Sequence, residues 1–251
     1  MSAQDDLRGL RGRLAIEASA EAAAKHLADD LVRTLQQRIC ETGTVHLALS
    51  GGSSPQGLYQ LLAEDARYAR SDWAHTHLWL VDERCVPHND PNLNFATILS
   101  VLVDKVPIPP AQVHPMPVDL PDGDRRYEGD LRRALAEAGG GRLDGAVLGM
   151  GPDGHTASLF PDSPALDERQ AWVRFNDGER VLAPRPRMTL TYPVLCAARF
   201  LAVLVTGASK HAALLDAPRA PDDLHALPIT GIRPAHDSSL VWYLDRAAAE
   251  G

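Results

Sequence analysis

Cysteine is scarce in this sequence and follows no recognisable pattern. The three cysteines, Cys40, Cys85 and Cys196, lie far apart and form no Cys-x-x-Cys pair. A sparse and odd set is typical of free thiols in a reducing compartment and does not indicate a disulfide framework. Cys85 precedes His88 by three residues, but no nearby third group would orient them as a nucleophile and its base.

An excess of basic charge and long apolar runs are also lacking. The chain has 25 Lys and Arg against 33 Asp and Glu, a formal net charge of −8 at pH 7. A surface for nucleic acid or an anionic membrane would need basic patches, so we expect neither partner. The apolar run 200–205 is too short to cross a bilayer, and no basic segment followed by an apolar one marks a signal peptide. We therefore expect a cytoplasmic protein.

What the sequence does contain is a regular alternation of helical and strand patterns along its 251 residues. Leu27, Leu31 and Leu35 recur every four residues and predict a long first helix, which Gly43 would end. Strands are predicted at 45–49, 77–81, 146–148, 188–190, 201–205 and 240–244, and further helices at 95–103, 125–138 and 210–215. Such alternation is typical of α/β proteins built on a parallel sheet.

The predicted fold class is therefore α/β, with a doubly wound, mostly parallel sheet of Rossmann-like type and helices on both faces. We expect a single domain over residues 1–251. The proline-rich stretch 106–117 is interpreted as a surface connection or a hinge. Its position before a charged helix favours one domain with a small inserted lobe.

The segment from Asp144 to Pro161 carries the strongest chemical signal. A buried strand at 146–148 runs into a glycine-rich loop, which we expect to deliver Asp153 and His155 to the start of a short helix. Ligands bind at such strand ends in open α/β sheets. A histidine there can exchange protons near neutral pH, because its unperturbed pKa is about 6.5. An ordinary capping turn would contain the same residues, so this motif alone leaves both interpretations open.

A second glycine-rich turn follows the strand 45–49. Gly51 and Gly52 would allow a tight turn with positive φ, Ser53 follows, and Pro55 suits the first helical position. Free amides and hydroxyls at the start of a helix bind phosphate readily. The turn has neither the Gly-Lys-Ser/Thr of a nucleotide loop nor the Gly-x-Gly-x-x-Gly spacing of a dinucleotide site. A plain N-capped turn is the alternative.

Charged residues follow two further strands. Arg84 would clamp a phosphate or carboxylate with two parallel hydrogen bonds, and Asp82 would accept hydrogen bonds from sugar hydroxyls or act as a base. Lys210 falls in the first turn of a helix, where the helix dipole disfavours a cation unless an anion lies nearby. Asn94, near the start of the next helix, is a further candidate for the same pocket. We expect all of these residues at the sheet edge that carries the two glycine-rich loops.

Metal ligands are weakly represented. His75 and His77 lie on one face of a predicted strand, and His88 and Asp90 are close in sequence. Neither pair belongs to a complete ligand set at a recognised spacing. We therefore expect no catalytic metal.

Five segments together resemble the 6-phosphogluconolactonase family, in the family's order and over essentially the whole chain. They are residues 49–55, 81–84, 149–161, 187–193 and 206–210. The resemblance implies hydrolysis of 6-phospho-D-glucono-1,5-lactone in the pentose phosphate pathway, without a cofactor. It also implies a modified doubly wound fold shared with glucosamine-6-phosphate deaminases.

The motifs and the resemblance together define a set of candidate site residues. His155 is the candidate general base and Asp153 its partner. Arg187 enters from the resemblance alone. The candidate residues for binding substrate and its phosphate are Ser50, Gly51, Gly52, Ser53, Asp82, Arg84, Gly151, Arg187 and Lys210. The expected partner is a small sugar-phosphate lactone, and the expected state is a monomer or a homodimer.

Two other functions are considered. The related deaminases continue the histidine motif toward Asn-Glu-Pro, and the glutamate of that motif helps the histidine to move protons. This chain has Phe160 at the matching position, which argues against isomerisation of an amino sugar. The second is a sugar-phosphate sensor without chemistry. Such sensors are usually joined to a DNA-binding module, which we do not expect in the few residues before the first helix, and loss of His155 would have favoured this alternative.

Overall fold

The central sheet consists of seven parallel strands. The computed structural model describes residues 7–69 and 71–251, so part of the N-terminal segment, in which no signal peptide is expected, lies outside the described residues. The strands of this sheet are β1 Arg13–Glu17, β2 Val45–Leu49, β3 Thr76–Leu80, β5 Val113–His114, β6 Gly145–Gly149, β9 Phe200–Val205 and β10 Ser239–Asp245. Their order is β1-β10-β9-β6-β2-β3-β5, and every neighbouring pair is parallel.

Three short strands form a second, antiparallel sheet. These are β4 Asp82–Arg84, β7 Val173–Asn176 and β8 Arg187–Leu190, in the order β4-β8-β7. Because β4 begins two residues after β3 ends, this small sheet extends from the carboxyl edge of the main sheet. It carries predicted site residues from β4 and β8 to that edge.

Helices pack against the parallel sheet and connect its strands. They are α1 Ala20–Thr42, α2 Ser53–Glu64, α3 Ala66–Ala69, α4 Asn94–Val101, α5 Gly123–Glu137, α6 Tyr192–Ala197, α7 His211–Asp216 and α8 Arg246–Glu250. Single 3₁₀ turns lie at Trp73–His75, Val103–Lys105, Pro110–Gln112, Pro164–Asp167, Ala208–Lys210 and Pro228–Gly231. In the described part of the chain, no helix has the length and apolarity that a membrane crossing requires.

The first helix shows how local sequence sets these boundaries. The Ser19 hydroxyl accepts a hydrogen bond from the amide of Ala22 at 3.2 Å, and Gly43 ends the helix with φ of 79°. Leu27 and Leu31 are fully buried against the sheet. The leucine spacing and the terminal glycine therefore predicted this helix correctly.

The strand order places a topological switch point between β2 and β6. From β2 the chain continues to β3 and β5 on one side, whereas from β6 it continues to β9 and β10 on the other. Connections that diverge in this way leave a crevice at the carboxyl ends of the two strands. The predicted α/β class with a mostly parallel sheet is confirmed.

Two local expectations about the sheets are wrong. The strand predicted at 188–190 exists, but it belongs to the antiparallel sheet and begins at Arg187. The proline-rich stretch 106–117 is not only a connection, because its residues Val113 and His114 form the edge strand β5. Prolines are tolerated beside an edge strand, since one side of such a strand needs no ladder hydrogen bonds.

Asp144 holds three strands together at the opposite, amino edge of the sheet. It is 4% exposed, and its carboxylate accepts hydrogen bonds from the amide of His46 at 2.9 Å and from Nε of Arg38 at 3.0 Å. Nε of Arg199 lies 3.5 Å from the same carboxylate. Its backbone pairs with His46 and with Phe200. This side chain therefore fixes β2, β6 and β9 relative to one another.

Replacing this carboxylate tests its structural role. We expect Asp144→Ala to lower the free energy of unfolding by roughly 3 kcal/mol, because the arginine charges beside it lose their buried partner. Asp237→Ala is the matched control, since Asp237 pairs with Arg142 but its side chain is 64% exposed, and we expect little change. Denaturant unfolding measures both, and equal losses would contradict the assignment.

Candidate active site

Loops at the carboxyl ends of β2, β3, β6 and β9 enclose a cavity of about 280 Å³, with the segment before β8 forming a further wall. Nine predicted site residues line it: Ser50, Gly51, Gly52, Asp82, Arg84, Gly151, His155, Arg187 and Lys210. Asn94 lines it as well. Ser53 is the first residue of α2, and Asp153 is held against the cavity-lining His155. The topology thus brings together residues that lie up to 160 positions apart in sequence.

The loop after β6 fixes the histidine through a carboxylate. One oxygen of Asp153 accepts a hydrogen bond from the His155 amide at 3.2 Å and lies 2.5 Å from Nδ1 of the same histidine. The Gly151 amide donates to the His155 carbonyl at 2.8 Å. A Cβ on Gly151 would lie 2.1 Å from Nδ1 of His155. Only glycine leaves room for this compact loop.

This geometry determines which nitrogen of His155 is free. Burial raises the pKa of Asp153, but the hydrogen bond and charge of His155 lower it further, so the net shift is below the ordinary value. An ionised carboxylate only accepts hydrogen bonds, so Nδ1 carries the proton. The lone pair of neutral His155 is then on Nε2. A histidine held in this tautomer is equipped to act as a general base.

The expected helix after His155 is not present. Thr156 and Leu159 form an isolated β-bridge, and between them Ala157 has φ of 52°. A residue in the left-handed region cannot continue a right-handed helix. The Thr156 hydroxyl instead donates to the carbonyl of Gly149 at 2.8 Å, which closes the loop onto the end of β6. Side-chain hydrogen bonds, and not a helix start, position the histidine.

The loop after β2 offers unsatisfied polar groups to the cavity. Gly52 has φ of 103° and precedes the first turn of α2, in which no side chain caps the amides. Gly51 does not need a positive φ, but its Cβ would lie 1.8 Å from Oδ1 of Asn94, so close approach requires glycine there. The Ser50 hydroxyl is buried and has no protein partner among the described residues. These groups are suited to a polar, anionic ligand.

Charges in the small sheet divide between two sides of β4. Glu83 is 1% exposed and accepts hydrogen bonds from the amides of Arg84, Asn94 and Phe95 at 2.7–2.8 Å. Burial raises the pKa of this carboxyl. Glu83 therefore does not join its charged neighbours Asp82 and Arg84 in the site. Because side chains alternate along a strand, it points away from the cavity and caps α4.

Asp82 and Arg84 face the cavity. Asp82 accepts a hydrogen bond from the Ser158 hydroxyl at 2.5 Å. The Nη1 group of Arg84 donates to Oδ1 of Asn94 and to the carbonyl of Asn92. The Nε of Arg84 is buried and has no partner in the described part of the chain. The guanidinium is thus oriented by Asn94 while one of its donors remains free for a ligand.

Two more cations complete the lining. Arg187 is 6% exposed, and burial lowers its pKa. Burial also lowers the pKa of Lys210, although the charge of Asp153 raises it in part. The cavity lining includes three cationic residues, Arg84, Arg187 and Lys210, and one carboxylate, Asp82. The cavity is therefore locally positive in a chain of net charge −8, and it favours an anion.

The metal and thiol alternatives gain no support from the geometry. Within 7–69 and 71–251, no group of three or more His, Cys, Asp or Glu is arranged to hold a metal ion. His77 instead contacts His114 at 3.0 Å, and His88 pairs with Asp119 at 3.2 Å. Burial raises the pKa of Cys85 to about 11, so its thiol stays protonated at neutral pH.

Sequence reasoning missed several contributors to the site, of which Ser158 and Leu182 are two. Ser158 supports Asp82 from 76 positions away, a contact that only the folded chain creates. Leu182 lines the cavity from a proline-rich segment that has no helical or strand period. A third residue, Phe160, was noted only as a departure from the deaminase motif. Its ring lies 4.6 Å from that of His155.

The fold and the cavity define an α/β protein with a cationic pocket at the switch point of a parallel sheet. A family model described as glucosamine-6-phosphate isomerases/6-phosphogluconolactonase matches residues 18–242. The chain therefore belongs to this family, and the resemblance predicted from the motifs is confirmed.

Individual relatives agree with this membership. The chain is 37% identical over 225 residues to a 6-phosphogluconolactonase of Synechocystis, covering 86% of this chain and 88% of that protein. It is 41% identical over 242 residues to the human GDH/6PGL endoplasmic bifunctional protein, covering 94% of this chain but 30% of that protein. It thus spans less than a third of the bifunctional relatives. The structure of a Thermotoga maritima 6-phosphogluconolactonase matches with a TM-score of 0.76 and 26% identity, covering 93% and 99% of the two chains.

The close approach at Gly151 gives a test of the site geometry. We expect Gly151→Ala to reduce turnover strongly while the protein stays folded, because a methyl group there displaces the His155 ring from Asp153. Gly129→Ala in α5, whose Cβ would meet nothing within 4 Å, is the control and should keep full activity. Wild-type turnover in Gly151→Ala would show that the Asp153–His155 contact is not needed.

Proposed function

We propose that this protein hydrolyses 6-phospho-D-glucono-1,5-lactone to 6-phospho-D-gluconate, a step of the pentose phosphate pathway. The observation that carries the proposal is the Asp153–His155 pair, with its Nδ1 to carboxylate distance of 2.5 Å, at the wall of a cationic cavity. Similarity to proteins named 6-phosphogluconolactonase supports it, at 37% identity in Synechocystis and 33% in Haemophilus influenzae.

In the proposed reaction, His155 acts first as a base and then as an acid. Its neutral Nε2 takes a proton from a water molecule as the water oxygen attacks the lactone carbonyl. Collapse of the tetrahedral intermediate breaks the bond between the carbonyl carbon and the ring oxygen, and the imidazolium returns its proton to that oxygen. Asp153 stabilises the transient imidazolium and holds its tautomer. No serine or cysteine nucleophile is required, because a lactone is already an activated ester.

The phosphate of the substrate is assigned to the cations and the β2–α2 loop. The first-turn amides of α2, the free hydroxyl of Ser50 and the free Nε of Arg84 offer donors to a dianion. Lys210 adds a charge from the β9–α7 loop, which is tied to the first turn of α2 by a 2.9 Å hydrogen bond between Ser54 and Thr206. Binding energy from this remote group orients the lactone carbonyl toward His155.

Amides of the Gly149–Gly154 loop are the proposed donors to the oxyanion that develops on the carbonyl. The amides of Gly151 and Gly154 already donate within the loop, to the carbonyls of His155 at 2.8 Å and of Gly151 at 3.1 Å. The remaining amides of the loop are therefore the proposed donors. Asp82, held by Ser158, is assigned to substrate hydroxyls. The reaction calls for no metal and no organic cofactor.

Amino-sugar isomerisation is not supported by any observed contact. The position that would need a second proton-transferring group is occupied by Phe160, whose ring packs against His155. A sensor without chemistry would have no need for a histidine held in one tautomer. The cytoplasmic location, the single domain over 1–251 and the monomeric or homodimeric state stay predictions.

The first experiment measures hydrolysis of 6-phosphogluconolactone generated in situ, with the spontaneous rate subtracted. We expect His155→Ala to lower kcat about 10²–10⁴-fold, the usual contribution of a general acid–base, while the affinity for inorganic phosphate stays the same. His225→Ala is the matched control, because His225 pairs with Asp167 and is half-exposed. Near wild-type turnover in His155→Ala would refute the assigned base.

A second variant tests the phosphate site through charge. We expect Lys210→Ala to weaken the binding of glucose 6-phosphate at neutral pH, because one of three cavity cations is lost. In the wild type, burial lowers the pKa of Lys210, so its charge disappears as pH rises toward the ordinary lysine value of about 10.4. Affinity should therefore begin to fall at a pH below the ordinary lysine pKa, and it should fall less in Lys210→Arg, which stays charged. An equal fall in both proteins would remove Lys210 from the site.

A further inference from the structure

We propose that Leu182 is a specificity-determining residue that packs against the apolar C–H face of the sugar ring, and that Arg187 is the positioning residue that holds it there. The inference rests on the proposed function for the identity of the substrate. It concerns the part of the ligand that the cationic groups do not recognise.

Leu182 is unusual in both its exposure and its position. It is the one large hydrophobic residue of the described chain that is counted as exposed, with half of its surface accessible, and it lines the cationic cavity. Its neighbour Val181 is 4% exposed. An apolar side chain at the rim of a polar cavity gains free energy only when something apolar covers it.

The segment that carries Leu182 is held from several directions. The Arg187 guanidinium donates hydrogen bonds to the carbonyls of Leu182 at 3.0 and 3.2 Å and of Pro184 at 2.6 Å. Nη1 of Arg185 donates to the carbonyl of Gly178 at 3.0 Å. The Nε and Nη2 groups of Arg187 therefore both donate to carbonyls of the segment that carries Leu182. This guanidinium therefore holds the loop in place, in addition to contributing positive charge to the cavity.

The Arg187 guanidinium also connects this loop to the catalytic side. Its central carbon lies 5.8 Å from the centre of the Phe160 ring, which in turn lies 4.6 Å from the ring of His155. Leu182, Phe160 and His155 all line the same cavity. The cavity therefore has apolar lining in two places, at Phe160 beside the imidazole and at Leu182.

A sugar-phosphate lactone presents two chemically different surfaces. Its phosphate and hydroxyl groups match the cations and Asp82, whereas its ring carbons carry C–H bonds that no polar residue satisfies. Burying those C–H groups against Leu182 removes apolar area from water on both sides. This contact distinguishes a ring-bearing phosphate from free inorganic phosphate.

The test compares ligands with and without a ring. Calorimetry gives the dissociation constants of glucose 6-phosphate and of inorganic phosphate for each variant. The ligand ratio is the constant for inorganic phosphate divided by the constant for glucose 6-phosphate. We expect Leu182→Ala to weaken the binding of glucose 6-phosphate about fivefold, which corresponds to losing about half the burial of a leucine side chain. The binding of inorganic phosphate should stay unchanged. Leu182→Met should restore most of the ratio. Leu120→Ala, at a half-buried leucine that does not line the cavity, is the control.

Arg187→Lys separates positioning from charge. Lysine keeps the positive charge but does not reproduce the forked hydrogen bonds to the loop carbonyls. We expect Arg187→Lys to lower the ligand ratio as Leu182→Ala does, and the double variant to lower it no further. An unchanged ratio in Leu182→Ala, or an equal loss of inorganic phosphate, overturns the proposal. If the wild type fails to hydrolyse the lactone but the ratio responds, the proposed reaction is wrong and the ring contact stands.

Discussion

The pairing of β2 with β6 is the constraint on which the site depends. At this pair the two halves of the sheet diverge, and the chain must leave both strands through loops that meet over the same crevice. Side chains are excluded at Gly51, which Asn94 approaches, and at Gly151, which Asp153 and His155 of the same loop approach. Asp144, at the other end of the same strands, fixes their register from the amino edge. The same strands therefore carry the stabilising contacts of Asp144 at their amino ends and the cavity loops at their carboxyl ends.

The charge of the cavity is opposite in sign to the net charge of the chain. The chain as a whole repels anions, with a net charge of −8, yet three cations and uncapped helix amides converge on one cavity. Solvent ions screen the distant carboxylates within about 10 Å at ordinary salt, whereas the half-buried groups of the cavity are screened less. The nearby cations therefore dominate the field that a small ligand meets. The same burial lowers the pKa values of Lys210 and Arg187, so desolvation limits how many cations the cavity can hold.

The parts of the fold that follow from periodicity could be predicted from the sequence, and the parts that depend on long-range contacts could not. The leucines of α1 and the apolar strands β2, β6 and β9 carry their own pattern. The short strand β5 has two residues and no period, so it was missed. The loop after β6 was predicted to start a helix, because neither the left-handed φ of Ala157 nor the Thr156 hydrogen bond to Gly149 can be seen in the local sequence. Most site residues were found because glycines and charges cluster at strand ends, whereas Leu182 carries no such mark.

The alternation of Asp82, Glu83 and Arg84 along β4 has a consequence for how this segment can vary. Two carboxylates and one guanidinium are sorted to opposite sides by the pleat alone, with Glu83 capping α4 and its neighbours facing the cavity. A deletion or insertion of one residue before this strand would exchange the two sides. The cavity would then gain a glutamate and lose both a cation and an acceptor, while the helix would lose its cap. The number of residues between β3 and β4 is therefore what natural variation must preserve, more than their identity.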